Sequence, residues 1–206
     1  MTNHLPSLLN KQYLSTKAKL PAGFKVGAAR FNFNPIEVAG KTLPMNVTLI
    51  TLDKPTKTFA AMFTSNQFPG GPILVGRERL KSSEFLQAVI VNNKISNVCP
   101  GGVTDRGAGD SERLCSGVAN QLGYPSKDYV LPSSTGIIGW RLPVKSIEVN
   151  LPLAIKNLQS TTMLPAALGI TTTDRYAKLR RYDSKSNTWS IVAIAKGAGI
   201  YHITVG

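Results

Sequence analysis

Trp189-Ser-Ile-Val-Ala-Ile-Ala-Lys-Gly-Ala-Gly-Ile-Tyr-His-Ile-Thr-Val-Gly206 is the stretch that decides how this chain is read. Residues 189–195 form an apolar run of strand length, which predicts a buried strand. The run delivers Lys196 into a glycine-rich segment, with Ile194, Ala195 and Ala198 as apolar neighbours. A lysine in such company is partly buried, and a buried ammonium needs an anionic partner. Tyr201-His-Ile-Thr-Val205 alternates enough to predict one more strand.

Working outward, Val47–Leu52 and Phe59–Phe63 read as strands, with turn chemistry between them at Lys54-Pro55-Thr56-Lys57. Ala88–Val91 is a short apolar strand of the kind buried on both faces. Pro100 to Asp110 is a glycine-rich loop. A helix follows it, capped by Asp110 or Ser111, with Leu114, Val118 and Leu122 on one face and Gly123 at its end. Val130-Leu-Pro132 leads into the turn Ser133-Ser134-Thr135-Gly136. A second helix runs from Pro143, and Pro152 is expected to break or displace it. Strands mixed with one or two helices predict an α+β fold, or a layered α/β one. Residues 1–19 read as an N-terminal extension and residues 20–206 as one domain.

The chain has 206 residues, of which 42% are hydrophobic, enough for a real core and too many for disorder. No apolar run is long enough to span a membrane. Cys99 and Cys115 are too few for a disulfide framework and suit a reducing compartment, both as buried thiols. The net charge of +13 raises nucleic-acid binding. The basic residues are scattered, however, and aromatic residues do not alternate with the modest cluster at Arg175, Lys178, Arg180, Arg181 and Lys185 as a base-stacking platform would. An acidic partner chain or anionic substrates account for the charge without nucleic acid. The first 36 residues hold five basic residues and no acidic one. They lack the arginine richness of a transit peptide, so the cytoplasm is the expected compartment and a mitochondrial address the alternative.

Several short motifs, in order along residues 21–200, carry a resemblance. They are Pro21-Ala-Gly-Phe24, then Phe63-Thr-Ser-Asn66 with Gly70-Gly-Pro-Ile73, then Val91-Asn92 with Asn97, Cys99 and Gly101. Ser134-Thr-Gly-Ile-Ile-Gly139, Thr172-Thr-Asp174 and Ala195-Lys-Gly-Ala-Gly199 complete the set. Together they resemble the ornithine acetyltransferase (glutamate N-acetyltransferase) family. The resemblance implies a layered α/β/β/α fold and a precursor that cuts itself before a threonine, whose downstream chain then carries that threonine as nucleophile. The family's lysine-to-threonine spacing places the cut after Gly206. The chain is thus expected to be the upstream, or alpha, chain, partnered by a beta chain in an alpha2beta2 heterotetramer. The sequence departs from the family around Asn93, Lys94 and Ile95, at Arg175, and over residues 200–206.

Acyl transfer needs a nucleophile, a base and donors for the tetrahedral oxyanion. An N-terminal threonine supplies a hydroxyl and an α-amine that can act as its base. The resemblance puts the oxyanion hole on Thr135 and Gly136 and the substrate-binding positions on Thr172 and Lys196. Lysine can pair with an amino-acid carboxylate and threonine can hydrogen-bond to it. No cofactor and no metal is implied: His4 and His202 have no ligand-spaced neighbours. Cys99 has no evident histidine partner. The expected reaction moves acetyl from N-acetylornithine to glutamate without nucleic acid or membrane. The alternatives are a relative with another amine acceptor, a self-cleaving aminopeptidase or amidase, and a non-catalytic basic binding module.

Overall fold

The computed structural model describes residues 14–197. Strands β1 (Phe24–Phe33), β2 (Leu43–Thr56), β3 (Leu86–Asn92) and β4 (Val130–Ser134) form one sheet in sequence order. β2 is antiparallel to both β1 and β3, while β3 and β4 run parallel. A parallel pair needs a long crossover. Helix α2 (Ala108–Leu122) supplies it, after α1 (Gly71–Ser82) has led from β2 to β3. Helices α3 (Val144–Lys156) and α4 (Leu164–Gly169) follow, then the antiparallel hairpin of β5 (Lys178–Asp183) and β6 (Ser190–Ala195).

Strand alternation sets the layers. Met45, Val47 and Leu49 of β2 point to one face, where with Ala88 and Ile90 they meet Leu114, Cys115 and Val118 of α2 and Ile147 and Leu151 of α3. Val26 of β1 and Ile50 of β2 point the other way. There they join Met163, Ala166 and Ala167 around α4, the hairpin residues Leu179, Val192 and Ile194, and Leu14, Ala18 and Leu20 from the N-terminal side. The α+β expectation holds, with the sheet sandwiched between a helical layer and a second layer containing the hairpin. Gly27 lets β1 touch α3, since a side chain there would collide with the Ala154 carbonyl.

Several local expectations fail for identifiable reasons. Residues 54–56 continue β2 instead of turning, and residues 59–63 form no strand. Pro152 sits inside α3 without breaking it. An internal proline costs a helix about 3 kcal/mol, and the burial of Val144, Ile147, Leu151 and Ala154 outweighs that at about 1.5–3 kcal/mol per large aliphatic side chain. Helix α2 begins before its predicted caps. Asp105 accepts the N–H groups of Gly107 at 2.9 Å and Gly109 at 2.6 Å, so a carboxylate upstream does the capping. Gly123 ends α2 in the left-handed conformation, as expected. Strand β6 alternates between half-buried and exposed positions, because the hairpin offers only one face to the core. Leu14 and Ala18 are buried, so the end of the segment read as an extension contributes to the second core. Cys99 is exposed, against expectation, whereas Cys115 is buried and its thiol is pushed up to about 12 by burial, leaving it inert. The strand expected at residues 201–205 lies outside the described residues.

Candidate active site

Parallel strands β3 and β4 end side by side, and loops leave both at their carboxyl ends. In open α/β sheets such ends are where ligands bind. Asn92 closes β3 and is almost fully buried. Its carbonyl accepts the Thr135 N–H at 3.0 Å. Its side-chain Oδ1 accepts the Ser134 hydroxyl at 2.6 Å, and its Nδ2 donates to Ile95 O at 2.8 Å. One buried amide thus fixes both the end of β4 and the loop after β3.

The turn so fixed is Thr135–Gly136. Gly136 has φ +137°, and a side chain there would collide with the Lys94 carbonyl. Only glycine fits. The Ile137 N–H donates to Lys94 O at 2.8 Å, and Ile137 O accepts the Ser96 N–H at 2.9 Å. Among the described residues, neither the Gly136 N–H nor the Thr135 hydroxyl has a hydrogen-bond partner. Both donors are available to an incoming oxygen. A recess of about 440 Å³, lined in part by Met62, Phe63, Ile73, Leu131 and Ser134, opens beside β4.

Asn93 ties this turn to a second group of residues. Its Oδ1 accepts the Asn46 N–H at 2.7 Å, and its Nδ2 donates to Thr171 O at 2.8 Å. Thr172 comes next, and its N–H donates to Asp174 Oδ2 at 3.2 Å. Asp174 also accepts the Gly197 N–H at 2.7 Å and the Lys178 ammonium at 2.8 Å, with Lys196 Nζ at 3.9 Å. The Asp174 carboxylate is fully enclosed. Burial raises its pKa, but the Lys178 hydrogen bond and the Gly197 and Thr172 N–H groups outweigh this and hold it at about 2.

Thr172 and Lys196, expected as substrate contacts, therefore meet at one carboxylate. The Thr172 side chain makes no hydrogen bond among the described residues; its backbone does the anchoring. The sequence assigns Asp174 no role, although a lysine among apolar neighbours calls for an anionic partner; the residue Lys196 is exposed, with its side chain 28% accessible. Asn92 and Asn93 were likewise overlooked as the physical link. The hairpin is no free basic platform, since Lys178 is committed to Asp174 and Arg181 to Asp183. Residue 206, the expected cleavage position, and His202 lie outside the described residues.

Two solved structures share the fold. The chain superposes on the ornithine acetyltransferase of Mycobacterium tuberculosis, solved with ornithine, with a TM-score of 0.74 and 23% identity over 92% of this chain and 96% of that one. It superposes on the ArgJ protein of Bacillus halodurans with a TM-score of 0.67 and 24% identity over 94% of each chain. The fold is the α+β fold of these two enzymes. The ArgJ family profile matches residues 33–205, and the chain belongs to the ArgJ family. Among curated relatives, the mitochondrial arginine biosynthesis bifunctional protein ArgJ of Talaromyces marneffei is 31% identical over 93% of this chain and 41% of its own length. The ArgJ protein of Geobacter sulfurreducens is 36% identical over 82% of this chain and 42% of its own length. The chain spans about two fifths of the curated relatives it matches.

Proposed function

We propose that this chain is the upstream part of an acetyltransferase that moves acetyl from N-acetylornithine to glutamate. The nucleophile is a threonine at the position after Gly206, freed by self-cleavage and carried by a beta chain in an alpha2beta2 assembly. The cytoplasm is the proposed compartment; several fungal relatives carry the word mitochondrial in their names.

In the first half-reaction the threonine oxygen attacks the acetyl carbonyl carbon, and its proton passes to the threonine α-amine. The carbonyl π electrons move onto oxygen. Thr135 Oγ1 and the Gly136 N–H receive that oxyanion. The intermediate collapses, the C–N bond breaks, and ornithine leaves with the proton on its amine. Glutamate reverses the sequence, its amine taking acetyl from the threonine ester. Lys196 and the Thr172 hydroxyl hold the α-carboxylate common to donor and acceptor.

The observation that carries this reading is the continuous connection from the Thr135–Gly136 turn through Asn92 and Asn93 to Thr172, Asp174 and Lys196. It links two unsatisfied donors at the turn to a lysine that lies 3.9 Å from a buried carboxylate. The test is expression of the full reading frame, with mass spectrometry of the products. We expect two chains, a threonine as the first downstream residue, and acetyl on that threonine after addition of N-acetylornithine. A stop codon after Gly206, or no acetyl-enzyme from a processed protein, overturns the reading.

A further inference from the structure

We infer that Lys94 is a cationic contributor to the oxyanion site, a role that rests on the acetyltransferase reading above. Lys94 lies where the sequence departs from the family's asparagine-rich motif. Its backbone is left-handed, with φ +74°, a region open to glycine and unfavourable for a residue with a side chain. A lysine held there accepts conformational strain that glycine would avoid, and such strain concentrates where a side chain has a task.

The residue is fastened to the turn by its own backbone. Lys94 O accepts the Ile137 N–H at 2.8 Å, and the same carbonyl fills the space where a Gly136 side chain would stand. The side chain is half-buried, and its ammonium makes no ion pair or hydrogen bond among the described residues. Lys178 and Lys196 differ in this respect, because they share Asp174. The Thr135 N–H is already committed to Asn92 O. The turn thus has one free backbone N–H and one free hydroxyl, and beside it stands the backbone of a lysine whose ammonium has no partner among the described residues and whose stem is long enough to reach it.

An ammonium is a compact charge on a flexible four-carbon stem, so it can act on a nearby anion without fixed angular geometry. The acetyl carbonyl is neutral in the ground state and negative in the tetrahedral intermediate. A cation beside it stabilises the second more than the first, which raises kcat and leaves KM little changed. The same carbonyl oxygen becomes the anion in both half-reactions, so both are accelerated.

The test uses the processed two-chain enzyme from the full reading frame, with acetylation of the threonine and its discharge to glutamate timed separately. Lys94→Met should slow each step about tenfold, less than loss of a direct oxyanion donor, with KM changed by less than about threefold. Lys94→Arg should keep most of the rate. Lys94→Gly removes the unfavourable backbone conformation, so it should fold at least as well as wild type while showing the same slow steps as the methionine variant. Wild-type rates in the methionine or glycine variant overturn the proposal alone. So does a variant whose only defect is failed processing or assembly, since Lys94 would then serve a partner carboxylate. A processed wild-type enzyme that never acquires acetyl overturns the acetyltransferase reading and this role with it.

Discussion

Asp174 holds Lys196 at 3.9 Å, within ion-pair distance and beyond hydrogen-bond reach. The nearer position belongs to Lys178, at 2.8 Å. Lys196 thus has an anionic neighbour while its ammonium makes no hydrogen bond among the described residues. Lys196→Met should raise KM for N-acetylornithine and for glutamate together, by about tenfold, because losing a charged contact that bound substrate would cover costs roughly 2 kcal/mol or more. Steady-state kinetics with each substrate varied in turn checks this. A shift in the donor KM alone would mean that the acceptor binds elsewhere.

Asp174 should make stability depend on pH. Its folded pKa of about 2 lies below the ordinary value of 3.8. The folded state therefore favours the carboxylate, and its contribution is fully present above the ordinary value and lost as pH falls toward the folded one. The size is roughly 2 kcal/mol, at about 1.4 kcal/mol per pKa unit. Asp174→Asn should show a constant deficit in urea unfolding above about pH 5, closing as pH falls toward about 2. A deficit that persists unchanged in acid would trace to packing instead of charge.

Thr135→Ala should lower kcat on the order of 10²-fold with KM nearly unchanged, as for loss of an oxyanion donor. Thr135→Ser keeps the hydroxyl and should keep most of the activity. Gly136→Ala is a different lesion. Its side chain has no room beside the Lys94 carbonyl, so both melting temperature and kcat should fall. A mild effect of Thr135→Ala would leave the Gly136 N–H as the main donor.

Asn93→Ala should uncouple the turn from the Asp174 cluster. It orphans the Asn46 N–H and the Thr171 carbonyl, and the predicted loss is about 1–3 kcal/mol of stability. Its kinetic mark should be a raised KM with smaller change in kcat, since the carboxylate clamp moves and the oxyanion donors remain. Denaturant titration and steady-state kinetics on the same preparation separate the two effects.

The sequence revealed those parts of the fold whose local and tertiary preferences agree. The apolar run Ala88–Val91 lies within β3, and the stripe Leu114, Val118 and Leu122 lies on α2, closed by Gly123. Helix α1 escaped because Arg79 occupies a buried position on it, where Glu112 and Asp128 hold the guanidinium at 2.7 Å each. A charge inside obscures the hydrophobic stripe that identifies a helix. Strand β5 escaped for a similar reason: Lys-Leu-Arg-Arg-Tyr-Asp reads as a charge cluster until Leu179 is seen to pack under it. At the site, Thr135, Gly136, Thr172 and Lys196 were named from motif resemblance. Asn92 stands in one of the matching motifs and Asn93 at a departure from it, but neither carries a role in the sequence, because hydrogen bonds between residues 93 and 171 leave no periodic trace in the chain.

The bond between Asn93 and Thr171 also orders events in time. Synthesis supplies residues 92–94 and 135–136 well before Thr172, Asp174 and Lys196. Domains form as their segments emerge, and contacts distant in sequence close late. A chain stalled on the ribosome after α3 would already possess the four-stranded sheet and the Thr135–Gly136 turn, yet hold no lysine clamp. The meeting of Lys196 with Asp174 therefore waits for the β5–β6 hairpin to be made, so this half of the site is assembled later than the turn.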